Sequence, residues 1–221
     1  MEDIQKLEAI AKENLNLARH EKELSKTSLE SSKLEIKRAK ARELLVKNEL
    51  NLAETRKELA ENRKKLLEKK REIKKEKLID FSEDELKKEN DYAIYFEKIA
   101  KAQIDIAEIS KKIVEMERKI ANQRKVLASL RLHTANTRDK MVKKLESYIR
   151  TIKLKLPEEK ISKSKDDYLK VQKDVETIKK DFLELENLIK KNENKLANLN
   201  NELSLKLSAR EKIRHQNVEI E

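Results

Sequence analysis

Basic side chains are the residues in this sequence whose types and spacing are best suited to chemistry. Residues 63–77, RKKLLEKKREIKKEK, combine nine Lys or Arg with three Glu. Clustered cations attract phosphates, anionic lipid headgroups and acidic protein surfaces. We therefore predict that this segment, called the basic tip, is a candidate site for an anionic partner. Its bases are Arg63, Lys64, Lys65, Lys69, Lys70, Arg71, Lys74, Lys75 and Lys77.

Catalytic and metal chemistry has little support in the sequence. His20, His133 and His215 lie far apart and lack the paired spacing of a metal-binding helix. The chain has no Cys, which excludes thiol catalysis, and no Gly, which excludes phosphate-binding loops rich in glycine. We predict no enzymatic activity, no cofactor and no small-molecule substrate.

The elements that carry the basic tip must be long helices. The 221 residues include no Gly and one Pro, and 44% of them are charged. An ordinary domain has about 7% Gly and about 25% charged residues. The 37% of hydrophobic residues can supply seams between helices but not a thick core. We predict an all-α fold, an elongated antiparallel three-helix coiled coil made of two long helical hairpins. It forms a single rod-like domain over residues 1–221, and a dimer is left open.

The first break between helices falls at Ser82. Ser82 and Glu85 have the spacing of a capping box, and Phe81 and Leu86 have the spacing of a hydrophobic staple. The bases before this break and the acids after it also match the helix dipoles, which explains the charge pattern without any ligand. A continuous helix through residue 82 is the alternative interpretation.

The second break falls at Pro157, because proline disfavours a helical residue before it and suits the first turn of a new helix. A later cap at Ser164 is the alternative start. The predicted helices therefore cover residues 3–79, 83–155 and 158–216. The third is the shortest, so the basic tip is expected at a two-helix end.

Helices two and three each carry apolar residues at alternating three- and four-residue spacing, the pattern of a coiled-coil seam. We expect them to pair antiparallel across Pro157. The polar breaks in the two seams, Gln123 and Asn192, then fall within about one helical turn of each other. They could share a layer that fixes the register of the pair.

Helix one differs, because its apolar residues come in neighbouring pairs seven residues apart, such as Leu52 with Ala53 and Leu59 with Ala60. Between the pairs lies a charged stripe. Either its alkyl stems cover the seam while the charged ends reach water, or acids on another helix or another copy pair with its bases. The candidate partner-facing residues are Arg42, Glu49 and Arg56.

Two stretches rich in small polar residues interrupt the seams, at residues 25–33 and 133–138. Folding at residue 82 would bring them roughly opposite each other. We expect a loosely packed zone there, and a docking notch is the alternative.

In its length and its three very long antiparallel helices, the predicted architecture resembles a BAR domain. That resemblance implies a dimeric module that presses basic surfaces onto anionic membranes. It extends over the whole chain, but no family motif matches residue by residue. Spectrin-like repeats are similar too, although their helices are much shorter.

Three functions follow from these patterns. The leading prediction is a nonenzymatic scaffold or adaptor that contacts protein partners, or copies of itself, along its helical surface. The alternative is BAR-like binding to anionic membranes. Nonspecific nucleic-acid binding is third, because the 54 bases are interspersed with 43 acids and no recognition motif accompanies the net charge of +11. We expect a soluble, cytoplasmic chain, and an exported location stays open if a leader once preceded it.

Overall fold

A computed structural model describes residues 4–76 and 82–218, with side chains up to residue 215. It contains three long helices packed against each other: α1 (Ile4–Lys75), α2 (Glu83–Lys153) and α3 (Glu158–Val218). Within the described ranges there is no strand. The all-α three-helix fold predicted from the sequence is thus confirmed, and each described helix end lies within two residues of its predicted position, the end of α1 excepted.

The break at Ser82 is confirmed. Ser82 precedes the first helical residue of α2, and its carbonyl accepts the Leu86 N–H at 3.1 Å. Three acids fill the first turn of α2, while Lys74 and Lys75 lie in the last turn of α1, as the helix dipoles favour. The predicted end of helix one at residue 79, the Phe81 staple and Lys77 lie outside the described residues.

The break at Pro157 is also confirmed, with a closing motif that the sequence did not suggest. Lys155 adopts a left-handed backbone conformation, with φ of 47°. Its N–H bonds to the Ile152 carbonyl, and the Leu156 N–H bonds to the Thr151 carbonyl. These are the two hydrogen bonds of a Schellman cap, which usually has Gly at the left-handed position. The alternative start of helix three at Ser164 is wrong, because α3 is already helical from Glu158.

The helices divide into two compact units. Unit 1 consists of Met1–Lys37 and Arg118–Glu193. Its helices are antiparallel neighbours, since Lys153 of α2 pairs with Glu8 of α1, and Lys144 of α2 pairs with Asp167 of α3. Its largest apolar cluster is built on Ala11, Val142, Leu145, Tyr148 and Ile149, with Ile161 and Tyr168 of α3 packed against it.

Unit 2 consists of Arg38–Glu117 and Asn194–Glu221. Antiparallel pairing holds here too, from Arg42 with Glu117 to Lys70 with Glu89. The interface between α1 and α2 is lined by small residues at seven-residue intervals, a spacing that returns to the same side of a helix. In both helices these are alanine-rich rows, and helices can approach closely where side chains are small. The buried residues of these rows are Ala39, Val46, Ala53, Ala60 and Leu67 in α1, and Leu86, Ala93, Ala100, Ala107 and Val114 in α2.

Candidate interaction surfaces

The charged stripe predicted on α1 lies beside this alanine row in unit 2, and residues of α2 meet it. Arg42 Nη1 lies 2.5 Å from Glu117 Oε1, and fourteen residues further on Arg56 Nη1 donates to Gln103 Oε1 at 2.9 Å. After another fourteen residues, Lys70 Nζ lies 2.7 Å from Glu89 Oε1. Glu49, the remaining predicted member, is exposed. Three bases of the stripe, Arg42, Arg56 and Lys70, therefore find partners within the chain.

The centre of the stripe carries bases whose partners are uncharged. Arg56 meets the amide of Gln103, and Arg63 lies over the ring of Phe96 with its Cζ 4.6 Å from the ring centroid. Phe96 in turn contacts Tyr95 edge-on, with centroids 5.7 Å apart. Both arginines are exposed, and within the described residues neither is recorded beside a carboxylate.

Acids of α2 neutralise part of the basic tip. Lys64 pairs with Glu97, Lys70 with Glu89 and Lys74 with Glu83. Four further bases of the tip are exposed, and no ion pair is recorded for them in the described part of the chain: Lys65, Lys69, Arg71 and Lys75.

Glu97 is the most strongly perturbed carboxyl in this region. Hydrogen bonds from Lys101 and then from Lys64 lower its pKa from 4.5 to about 2. The same contact raises the pKa of Lys101. Two lysines from different helices thus share one carboxylate.

A row of exposed leucines, called the leucine row, is the largest departure from the predicted seams. Leu45, Leu52, Leu59 and Leu66 are between 52% and 61% exposed. In each neighbouring pair on α1 of unit 2, the second member is buried in the alanine row and the first is exposed. The sequence showed the pairs but not this division. The seven-residue spacing of alanine in α2, at Ala93, Ala100 and Ala107, is the signal that could have revealed it.

A groove of about 330 Å³ adjoins the leucine row at Leu59. Its walls combine Arg56 and Arg63 with the apolar surfaces of Tyr95, Phe96 and Ile99, and Arg214 of α3 also lines it. Arg214 pairs with Glu211 at 3.1 Å. The groove therefore offers apolar contact and three guanidinium groups, of which that of Arg214 is already paired with a carboxylate.

Unit 1 carries the corresponding stripe with opposite signs. Along this stripe α1 supplies the acids and α2 the bases, since Arg138 bonds to Glu21 at 3.0 Å and Arg124 bonds to Glu35 at 3.0 Å. Beside the stripe, Lys22 of α1 pairs with Asp139 of α2 in the opposite sense. Arg124 also bonds to Glu193 of α3 at 2.8 Å, and these contacts raise the pKa of Arg124, the Glu193 bond most of all. The bridge therefore joins all three helices of unit 1.

Polar side chains are buried in unit 1 at the predicted positions. Asn192, 2% exposed, donates to Gln123 Oε1 at 2.9 Å, which confirms the shared amide layer. Ser25 is buried and donates to the Ala128 carbonyl at 2.7 Å, so the first polar stretch packs against α2 at a residue five positions before the second stretch begins. Both helices remain α-helical through these stretches. Ser32, Thr134, Thr137 and Arg138 are also buried, and the sequence did not predict a buried arginine.

The histidines are separate and exposed in the structure. In the described ranges, no three His, Asp or Glu lie together as metal ligands. None of the helices, over the residues described, is long and apolar enough to cross a membrane.

The structure defines the class of this protein as an all-α, antiparallel three-helix assembly. Neither the known protein-family models nor the curated proteins contain a match to the chain. The surfaces of the two units are therefore the basis for inferring function.

Proposed function

We propose that this chain is a nonenzymatic scaffold or adaptor that binds other proteins through the leucine row of α1 in unit 2. The observation that supports the proposal is the exposure of four leucines at seven-residue spacing. Single exposed apolar residues are ordinary, but several that repeat along one side of a helix and are rimmed by polar residues are typical of an interaction site.

A second row of exposed residues, three positions after or four positions before each leucine, strengthens this interpretation. Together with the leucine row, this neighbouring row gives alternating three- and four-residue spacing, which is the pattern of a coiled-coil seam. The neighbouring row has no charged member before Leu66, after which Lys69 follows, so a helix docked along Leu45 to Leu59 would bury no unpaired charge there. Its exposed residues are Ala41, Asn48, Thr55 and Asn62.

The test measures binding of synthetic three-heptad helical peptides with leucine at their core positions. We expect Leu52→Asn combined with Leu59→Asn to weaken binding at least about tenfold, because central apolar anchors dominate most interfaces. Leu44→Asn is the matched control, since Leu44 is 62% exposed but lies outside the leucine row. Peptide fluorescence anisotropy gives the dissociation constants, and circular dichroism verifies that each variant stays helical.

Two results would contradict the proposal. One is equal binding by the leucine-row variant and the Leu44→Asn control, which would place the binding surface elsewhere. The other is the absence of both peptide binding and self-association at high protein concentration.

An anionic membrane surface is the second candidate partner. It is favoured by the four exposed bases of the tip, each able to contribute about 1 kcal/mol beside anionic lipids. Glu68 and Glu72 are interspersed with these bases and reduce the net charge. Sedimentation with phosphatidylserine vesicles tests it: binding should disappear when Lys65, Lys69, Arg71 and Lys75 are changed to Gln, and unchanged binding would exclude the tip.

A further inference from the structure

The surface around Leu59 combines apolar area with charge in one place. Leu59 is 57% exposed and borders the groove that Arg56 and Arg63 line. Arg56 lies three residues before Leu59 and Arg63 four residues after it, so both bases flank the same leucine on one side of α1. A ligand that covers Leu59 must pass close to both guanidinium groups.

The charges at this place differ from those at the two ends of the stripe. At the ends, Arg42 and Lys70 each lie against a carboxylate of α2. At the centre, Arg56 meets an amide and Arg63 meets an aromatic ring. A docking helix with bases at this flank would suffer repulsion, whereas one with acids would gain charge-assisted hydrogen bonds in a partly desolvated groove.

A second copy of the chain fits this surface poorly. In an antiparallel pair of helices, residues on one flank of the seam meet the same flank of the partner. Two leucine rows packed antiparallel over residues 42–70 would therefore set one arginine stripe against the other, with Glu49 as the only acid of the stripe within those residues.

A parallel pair gives no net electrostatic gain either. In a parallel pair, a residue on one flank of the seam meets the residue numbered five higher, which lies on the opposite flank of the other copy. Glu58 would then meet Arg63 of the other copy, which is favourable. Lys65 would meet Lys70, which offsets the first pair.

We infer that the partner of the leucine row is an acidic amphipathic helix of another protein. Its apolar residues, at three- and four-residue spacing, cover Leu52, Leu59 and Leu66. Glu or Asp side chains on one flank, seven residues apart, bond to Arg56 and Arg63. This inference rests on the proposed function and assigns the chemical class of the partner.

A charge-swap experiment tests the inference. Three synthetic peptides share a leucine core over three heptads and carry Glu, Gln or Lys at both flanking positions. We expect the wild-type chain to bind the Glu peptide at least about tenfold more tightly than the Lys peptide, with affinity falling as salt is raised. In a chain carrying Arg56→Glu and Arg63→Glu, the order of the two peptides should reverse. Arg19→Glu combined with Arg38→Glu is the control for net charge, because those residues are also exposed on α1 but lie outside unit 2's central stripe.

The outcomes separate the inference from the proposed function. If all three peptides bind equally and the Leu52→Asn and Leu59→Asn changes abolish binding, the acidic partner is wrong and the docking surface stands. If the chain dimerises through the leucine row, a second copy is the occupant and the inference is also wrong. If no peptide binds, the inference and the proposed docking mode fail together. Reversal of preference in the charge-swapped chain, and not in the control, supports the inference.

Discussion

The two units build the same antiparallel pair of helices with opposite distributions of charge. In unit 2 the bases lie on α1 and the acids on α2, as in Arg42 with Glu117. Along the stripe of unit 1 the acids lie on α1 and the bases on α2, as in Glu35 with Arg124, although beside it Lys22 of α1 pairs with Asp139 of α2. A heptad repeat alone allows the two helices to slip by seven residues. Within unit 2, where Arg42 meets Glu117, a slip of seven residues in one direction would oppose Glu49 to Glu117, so that register would be penalised.

The units also differ in what they bury. The buried polar side chains that the structure describes, including Arg138 and Asn192, all belong to unit 1. In unit 1, α3 has buried residues at Val175, Ile178, Ile189 and Asn192, whereas residues 194–215 of α3 in unit 2 are half-buried or exposed. At the heptad positions of the leucine row, Ile10, Leu17 and Leu24 of unit 1 are 38–39% exposed. The leucines of the row in unit 2 are more exposed, at 52–61%.

The largest effect should come from the buried arginine of unit 1. Arg138→Ala removes the partner of Glu21 and Asn14 from a site that is only 7% exposed, and we expect a loss of about 3 kcal/mol in unfolding free energy. The control is Arg42→Ala in unit 2, where a half-exposed ion pair should be worth less than about 1 kcal/mol. Urea unfolding followed by circular dichroism measures both. If Arg138→Ala and Arg42→Ala lowered the unfolding free energy equally, burial of the ion pair would not explain any difference in stability between the two stripes.

The next effect compares two neighbouring leucines in unit 2. Leu67 is 5% exposed and packs with Leu86 and Ala93, so Leu67→Ala should cost about 2 kcal/mol. Leu66 is 56% exposed, and Leu66→Ala should cost less than about 0.5 kcal/mol. The same unfolding measurement applies. A larger loss for Leu66→Ala would show that the leucine row is covered within the chain, and would remove the basis of the docking surface.

These neighbouring pairs also show how far the sequence alone could lead. Helix ends follow from local signals, so Ser82 and Pro157 were sufficient to place the breaks. The amide layer of Gln123 and Asn192 could be predicted from the spacing of the apolar residues in the two seams, once helices two and three were assumed to pair antiparallel across Pro157. Which residue of each pair is buried depends on the side from which the neighbouring helix packs, and local sequence does not determine that tertiary contact. The seven-residue spacing in the sequence does not show whether Leu59 or Ala60 is the buried member of the pair. In the structure, close packing of α1 against the alanines of α2 buries Ala60.

The turn of unit 1 provides a smaller, stabilising test. Lys155 adopts a left-handed conformation, which costs a residue with a Cβ about 1 kcal/mol or more. Lys155→Gly should therefore raise the unfolding free energy by about 1 kcal/mol, and Lys155→Ala should not, because alanine keeps the Cβ. Hydrogen exchange should slow in residues 118–193 rather than in 38–117. Uniform slowing in both segments would indicate that the two units open together.

The smallest effect concerns the pH dependence of one carboxyl in each unit. Lys101 and Lys64 lower the pKa of Glu97 in unit 2 to about 2, and Lys144 lowers the pKa of Asp167 in unit 1. Because the folded pKa of Glu97 lies below its ordinary value of 4.5, the unfolded chain takes up the proton first. The stabilisation is therefore complete above about pH 4.5 and is lost as the pH falls towards 2.

Carboxyl carbon shifts followed by NMR should show Glu97 still ionised at pH 3, and Lys64→Ala with Lys101→Ala should return its pKa towards 4.5. Lys144→Ala should raise the pKa of Asp167 without affecting Glu97, and a shift of both carboxyls would contradict the assignment of each to its own lysines.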